Sequence, residues 1–189
     1  VARNRGIELS RGTYIGFLDS DDLYLPQKLE TQVQIMDKNP GIGMVYGGGR
    51  LIDADGKRIG DQVLGNRLDT SEILREDLYF ENFIGGPSTT LIRKSILEKV
   101  GIFDPAIRFG EDWDLWLRII GEGRIVAHQE IVACIRRHRG GQSHYPSPEN
   151  NARRLADFVD MLEKAFIRDG VEAELRRAAL AHQYAKVFI

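Results

Sequence analysis

The feature that most constrains the fold is a short apolar run that ends abruptly in a cluster of acids. Residues Thr13–Leu18 read Thr-Tyr-Ile-Gly-Phe-Leu, and Asp19-Ser20-Asp21-Asp22 follows at once. A short apolar run rich in β-forming residues predicts a buried strand. In open α/β sheets, ligands bind beyond the carboxyl ends of the strands. The acids therefore mark a candidate site at the edge of a sheet.

Helix and strand patterns alternate around this run, which predicts an α/β domain with a mixed sheet flanked by helices. The predicted helices are Ala2–Leu9, one from Pro26 to Asn39 in which Leu29, Val33 and Met36 recur at helical spacing, Thr70–Leu78, Lys94–Val100 and the Trp113–Ile120 helix. The predicted strands are Thr13–Leu18, Gly43–Tyr46, Ser88–Ile92, Arg124–Ala127 and Ile131–Arg136, with a hairpin that turns at Asp55-Gly56.

The last part of the chain has a different character. From Glu149 onward the pattern is helical, with Leu155, Phe158, Leu162 and Phe166 on one side, and Gly170 separates a second helix, Glu172–Phe188. Ser147-Pro148 marks the junction. We therefore predict an α/β domain over residues 1–146 and a C-terminal helical extension over residues 147–189.

Composition excludes several classes of protein. The chain has 26 basic and 28 acidic side chains, so its net charge of −2 argues against a nucleic-acid binder that works by bulk charge. A single cysteine, Cys134, excludes an intrachain disulfide framework and a multi-thiolate zinc site. The sequence contains no apolar run of the roughly 20 residues needed to span a bilayer, and its opening residues lead into no signal-peptide core.

The three acids of the Asp19–Asp22 segment repel one another unless a positive group binds them, and a hard divalent cation is the usual partner of clustered oxygen ligands. The alternative is that these aspartates only cap the next helix or fill a turn. An EF-hand is excluded, because Leu23 and Tyr24 stand where that loop needs an oxygen ligand and a glycine.

Asp112 stands at the start of the Trp113–Ile120 helix, where the helix dipole favours an ionised carboxylate. Such a group at the edge of a pocket can act as a general base toward a hydroxyl. The alternative is that Asp112 only caps the helix, with Glu111 solvated.

The segment from Arg136 to His144 reads Arg-Arg-His-Arg-Gly-Gly-Gln-Ser-His. Its arginines could hold a diphosphate, and His138 could add a metal or phosphate contact. The alternative is a solvated basic loop. A nucleic-acid patch is disfavoured, because acidic stretches surround the segment and no aromatic residues alternate with its arginines.

Taken together, these segments resemble family-two glycosyltransferases of the inverting, GT-A-fold type, whose sheet is partly Rossmann-like. The resemblance runs from about Ala2 to His144. Its marks are Ala2-Arg-Asn-Arg-Gly6, Tyr14–Asp22, Gly101-Ile-Phe-Asp104, Gly110–Arg118 and Arg136-Arg-His138.

The resemblance implies a role for each matching residue. Asp112 would be the catalytic base, and Asp21 and His138 would bind Mn²⁺ or Mg²⁺ on the donor's diphosphate. The residues implied to bind the nucleotide sugar are Arg3, Asp19, Asp22 and Arg136, and Gly85-Gly-Pro-Ser88 would lie on the acceptor side.

The resemblance also implies partners: a nucleotide-diphosphate sugar donor and a saccharide, lipid-linked or other hydroxyl acceptor, in cell-wall or polysaccharide biosynthesis. It implies cytoplasmic residence and leaves peripheral membrane association and a homodimer open. In that family a further segment precedes the Ala2–Gly6 motif and forms the first strands. We therefore expect residues 1–146 to form a catalytic domain whose sheet lacks these strands. We also expect donor binding by this fragment alone to be weak or absent, and the fragment alone to be inactive. The rival readings are a metal-dependent nucleotidyltransferase and a non-catalytic interaction module.

Overall fold

A computed structural model describes residues 2–64, 73–138 and 148–186. The helices are α1 (Ala2–Leu9), α2 (Lys28–Lys38), α3 (Arg75–Phe80), α4 (Lys94–Val100), α5 (Glu111–Glu122), α6 (Pro148–Asp169) and α7 (Ala173–Ala185), with a 3₁₀ turn at Pro87–Thr89. The strands are β1 (Tyr14–Gly16), β2 (Leu23–Tyr24), β3 (Ile42–Ile52), β4 (Arg58–Leu64), β5 (Thr90–Arg93) and β6 (Arg124–Arg136).

The strands form one mixed sheet in the order β1-β5-β3-β6-β2, and β4 pairs with β3 outside this path. The long strands β3 and β6 run parallel at the centre, and the other pairings are antiparallel. The predicted α/β class with a mixed sheet is therefore confirmed. Because β2 is paired with β6 through Leu23 and Cys134, the acid segment just before β2 lies beside the carboxyl end of β6.

Two strand predictions need correction. The segments Arg124–Ala127 and Ile131–Arg136 belong to a single strand, β6, which continues through irregular register against Gly48 of β3. The predicted strand Gly43–Tyr46 is likewise only the first part of β3. A local pattern marks the apolar stretches of a strand, whereas the partner strand's hydrogen bonds decide where it ends.

Two helix predictions also differ from the structure. Of the predicted helix Thr70–Leu78, residues 70–72 lie outside the described ranges, and α3 begins only at Arg75 and continues to Phe80. Helix α2 forms as predicted, but it buries Lys28, Gln32 and Met36, whereas Leu29 is 49% exposed.

The C-terminal helices pack on the same apolar core as the sheet. That core contains Trp113 and Trp116 of α5 together with Leu162 and Phe166 of α6, and the rings of Trp113 and Phe158 meet edge to face at 5.6 Å. The boundary between the domain and the extension stays a prediction, because it falls among residues outside the described ranges. None of the described helices is both long and apolar enough to cross a membrane.

Candidate active site

Three segments from distant parts of the chain meet at one edge of the sheet. They are the acid segment Asp19–Asp22, the carboxyl end of β6 at Arg136–His138, and the start of α5 at Glu111-Asp112. The hydrogen bond from the Arg136 backbone N–H to Asp22 Oδ1, at 2.9 Å, joins the first two segments.

Asp21 and His138 face each other across the first two segments. His138 Nε2 lies 3.1 Å from Asp21 Oδ2, and about a third of each side chain is exposed. A carboxylate oxygen and an imidazole nitrogen are donors that Mn²⁺ accepts, and Mg²⁺ commonly uses one or two carboxylates together with substrate phosphates and water. Within the described ranges no group of three or more His, Cys, Asp or Glu side chains is arranged to hold a metal. The pair therefore fits a metal whose other ligands are phosphate oxygens and water.

Asp22 is held inside the protein. It is 9% exposed, and its second oxygen, Oδ2, accepts a 2.6 Å hydrogen bond from the Ser88 hydroxyl. Burial raises the pKa of Asp22, and the charges of Asp19 and Asp21 raise it further, while its two hydrogen bonds oppose the shift. Both carboxylate oxygens thus bind the chain itself, and the predicted contact of Asp22 with the donor stays a prediction.

Arg136 also makes its contacts within the chain. Its Nε donates to the Asp21 carbonyl at 2.8 Å, and its Nη1 donates to the carbonyls of Asp53 and Ala54, each at 2.8 Å. These bonds hold the acid segment against the β3–β4 turn. The prediction that Arg136 binds the diphosphate remains untested, and residues 139–144 of the predicted basic loop lie outside the described ranges.

Arg3 joins the acid segment to the start of α5. Its Nη2 donates to Asp19 Oδ1 at 2.6 Å, and its Nη1 donates to Glu111 Oε1 at 2.8 Å. Neighbouring Asn4 exchanges two hydrogen bonds with the backbone of Phe103, which fixes α1 beside the loop before α5. The two acidic motifs therefore share one guanidinium, and Glu111 is paired rather than simply solvated.

Asp112 is half-buried at the first turn of α5. Its Oδ1 accepts the Trp113 backbone N–H at 2.7 Å. Burial raises the pKa of Asp112 to about 6, and the charge of Glu111 adds to the rise, while the Trp113 N–H and Arg3 oppose it. A carboxylate with such a pKa is mostly ionised at neutral pH and is more basic than an ordinary aspartate, which suits a general base.

Asp114, the third acid of this turn, makes structural contacts away from the candidate site. Asp114 is buried, and its Oδ2 pairs with Arg118 at 2.7 Å while its Oδ1 lies 3.5 Å from Arg168 of α6. Arg118 also donates to the carbonyls of Val100 and Ile102. Asp114 therefore ties α5 to α6 and to the end of α4.

Ser88 is a site residue whose role the sequence did not reveal. Its hydroxyl donates to Asp22 and accepts the Asp19 backbone N–H at 3.1 Å. The resemblance placed Ser88 on the acceptor side, but the hydrogen bonds link it to the acid segment. Gly86, at φ +93°, starts the 3₁₀ turn that presents this hydroxyl, and a Gly-Pro dipeptide was the one local signal of that turn.

The chain is similar to several known proteins. Residues 1–143 match the family described as glycosyltransferase like family 2. An uncharacterized glycosyltransferase of Haemophilus influenzae is 31% identical over 121 residues, which cover 64% of this chain and 40% of the relative. The UDP-Glc:alpha-D-GlcNAc-diphosphoundecaprenol beta-1,3-glucosyltransferase WfgD of Escherichia coli is 30% identical over 164 residues, 84% of this chain and 60% of the relative.

The fold has a counterpart among solved structures. TarS of S. aureus, residues 1–349, matches with a TM-score of 0.59 at 16% identity, over 96% of this chain and 49% of that chain. This likeness bears on the fold alone and confirms the predicted GT-A-like arrangement. The chain thus spans between two fifths and three fifths of the length of these three proteins.

Proposed function

The chain belongs to glycosyltransferase family 2, and from this premise we propose that it carries the cleft in which a sugar passes, with inversion, from a nucleotide-diphosphate donor to an acceptor hydroxyl. The observation that carries the proposal is the position of Arg3 between Asp19 and Glu111. This contact brings the acid segment close to Asp112, which follows Glu111, although the two lie far apart along the chain.

The reaction is a single displacement. The acceptor oxygen attacks the anomeric carbon and gives up its proton to Asp112, for which we assign Oδ2, since Oδ1 accepts the Trp113 N–H. The bond from the anomeric carbon to the diphosphate oxygen breaks, and its electron pair stays on the diphosphate. Attack from the face opposite the leaving group inverts the anomeric centre.

The diphosphate leaves with additional negative charge, and Mn²⁺ or Mg²⁺ bound by Asp21 and His138 would neutralise that charge. The chain's own task is to hold these two side chains at one point. Arg136 does so through its bond to the Asp21 carbonyl. Asp19, paired with Arg3, would lie toward the nucleoside.

For the substrates, the name of the Escherichia coli relative is the most specific guide. That enzyme is named for UDP-glucose and for a lipid-linked N-acetylglucosamine diphosphate. We propose a UDP-hexose donor and a lipid-linked saccharide acceptor for this chain, in the assembly of a cell-surface polysaccharide. A lipid-linked acceptor would bring the reaction to a membrane surface, and we propose the cytoplasmic face.

The test is a transfer and donor-hydrolysis assay on the complete protein, with a panel of nucleotide sugars, with Mn²⁺ or with EDTA. Asp112→Asn should lower kcat by about 10² to 10⁴-fold because it removes the proton acceptor. Glu98→Gln, which changes an exposed carboxylate of α4, is the matched control and should leave the rate unchanged. Full activity in Asp112→Asn would show that Asp112 is not the base. Equal rates with Mn²⁺ and with EDTA would show that the reaction does not need a metal.

A further inference from the structure

A buried polar cluster lies behind the candidate site, between α2 and the sheet, and the transfer step does not use it. Lys28 and Gln32 are 0% exposed, and His128 of β6 is 6% exposed. An ammonium group shut away from water costs several kcal/mol unless its hydrogen bonds are replaced. Among the residues that the structure describes, no carboxylate pairs with the Lys28 amino group, so its hydrogen bonds are made to other polar groups.

Three groups contact the Lys28 amino group. Its Nζ donates to Gln32 Oε1 at 2.5 Å and to the Thr90 carbonyl at 2.9 Å. It also lies over the ring of Tyr24, 4.8 Å from the centroid, and aromatic faces attract cations. The lysine therefore connects three elements: α2, the start of β5, and β2.

Gln32 continues the cluster. Its amide nitrogen donates to the Thr89 carbonyl at 2.9 Å and lies 3.3 Å from His128 Nε2. Since the Gln32 amide has a donor on this side, the network assigns His128 as an acceptor at Nε2 with its proton on Nδ1. A side chain at Gly47 would come within 2.8 Å of the His128 ring, so the imidazole is packed tightly against β3.

Two paths lead from this cluster to the acid segment. On one, the carbonyls of Thr89 and Thr90 are held directly after Ser88, whose hydroxyl contacts the Asp19 N–H and the Asp22 carboxylate. On the other, the Tyr24 hydroxyl donates to the Phe17 carbonyl at 2.6 Å. Asp19 is thus restrained through the residue that receives its N–H and through the backbone two residues before it.

We propose that Lys28 and Gln32 are positioning residues that hold the acid segment in place from the far side of the sheet. Through the 3₁₀ turn and Tyr24 they set where the carboxylates of Asp19 and Asp22 lie, without touching substrate. The geometric claim stands on the contacts alone, whereas its consequence for sugar transfer rests on the proposed function.

The experiment replaces Lys28 by methionine, which keeps the length of the side chain and removes the three donors. The readout is site-resolved amide hydrogen exchange at Asp19 in the full chain, under conditions in which all variants are folded. We expect exchange at Asp19 to rise by about tenfold as the Ser88 contact loosens. The affinity for Mn²⁺ should fall by about tenfold or more, as when the supports of metal ligands are removed.

Met36→Ala is the matched control. Met36 is also fully buried on α2, two turns further along, and belongs to a separate apolar cluster. It should lower overall stability without a selective change at Asp19. Should Lys28→Met fail to fold, Gln32→Met decides the matter, because it removes the donor to Thr89 and leaves the contact of Lys28 with Thr90.

Ser88→Ala distinguishes a specific effect of Lys28 on the position of Asp19 from a general loss of stability. It removes the direct acceptor of the Asp19 N–H, so Lys28→Met in that background should add little further exchange at Asp19. The proposal is overturned when Lys28→Met and Gln32→Met leave exchange at Asp19 no faster than Met36→Ala does. Faster exchange in a protein that binds no Mn²⁺ would uphold the positioning role and reject the metal in the proposed function.

Discussion

At the scale of single residues, the site depends on side chains that serve two partners each. Arg3 contacts Asp19 and Glu111, and Ser88 contacts Asp19 and Asp22. The resemblance pointed to Arg3, Asp19, Asp21, Asp112 and His138, and the structure brings Asp21 to His138 and Arg3 to Asp19. The pairing of Glu111 and the role of Ser88 had no local signal, because both residues find their partners in segments distant in sequence.

The raised pKa of Asp112 predicts how activity depends on pH. The base must be ionised, so kcat/KM should fall as the pH drops through about 6, approaching tenfold per pH unit. The same pKa shift also affects the free energy of unfolding, which should fall, whereas activity rises, as the pH increases. Because the folded state holds this proton more tightly than the unfolded state, its stabilising contribution is present below about pH 4 and is lost as the pH rises through about 6.

A pH–rate profile checks the first part, and the difference in unfolding free energy between the wild type and Asp112→Asn at pH 4 and pH 7 checks the second. An acidic limb at the ordinary aspartate pKa would contradict the assignment of Asp112 as the titrating base.

Arg3 should influence the pH at which activity falls on the acidic side of the profile, the acidic limb. Its positive charge lowers the pKa of Asp112, so Arg3→Met should move the limb to higher pH and weaken activity. Arg3→Lys keeps the charge but cannot reach two carboxylates as the guanidinium does. We expect Arg3→Lys to keep the limb near its wild-type position while lowering kcat. Identical pH profiles for the wild type and Arg3→Met would show that the charge of Arg3 does not reach the base.

At the scale of elements, the start of α5 is fixed by a glycine and by a neighbouring helix. Gly110 precedes the helix in the left-handed region, at φ +82°. A side chain at this position would lie 3.0 Å from the ring of Phe158 of α6. The first turn, which carries Glu111 and Asp112, is therefore set both by backbone conformation and by the packing of α6.

Gly110→Ala should destabilise the protein by about 1 to 3 kcal/mol through backbone strain, and more through the contact with Phe158. Gly170→Ala is the matched control, because Gly170 also has a positive φ, +65°, with nothing within 4 Å of the added methyl group. Chemical unfolding gives the two losses of stability, and the transfer assay gives the rates. Gly110→Ala should lose more stability than Gly170→Ala and should also lose activity. Equal effects of the two substitutions would show that the packing of α6 against Gly110 does not position the first turn of α5.

Single elements were predicted with uneven success, and the reason lies in their surroundings. Helix α4 spans Lys94–Val100, as predicted. Helix α2 was predicted from Leu29, Val33 and Met36, yet it buries Lys28 and Gln32. From the sequence alone, a polar side chain on a helix is predicted to face solvent. Lys28 is buried because the Thr90 carbonyl, from a distant segment, accepts its hydrogen bond.

At the scale of the whole molecule, the C-terminal helices complete the core. Phe166 of α6 is 1% exposed and meets the ring of Tyr79 of α3 edge to face at 5.2 Å. Tyr79 in turn donates a 2.8 Å hydrogen bond to Asp169 at the end of α6. The α/β domain and the predicted extension are thus joined by apolar and polar contacts.

Phe166→Ala should cost about 3 to 5 kcal/mol, the usual loss for a large aromatic side chain in a core. Its neighbour Ile167 is 73% exposed, so Ile167→Ala should change stability by no more than about 0.5 kcal/mol. Denaturant unfolding followed by circular dichroism measures both. A small cost for Phe166→Ala would mean that the helices do not stabilise the domain.

The sequence by itself determined the class of fold, the order of most elements and the residue types that carry the chemistry. These depend on periodicity, on turn residues and on short motifs, all of which are local in the chain. Only the tertiary structure decided which acids share Arg3, that Asp22 is held inside by Ser88 and the Arg136 backbone, and that a buried lysine lies behind the site. Those facts depend on contacts between segments far apart in the chain, and the free energy of burying a polar group is set by the partner it finds there.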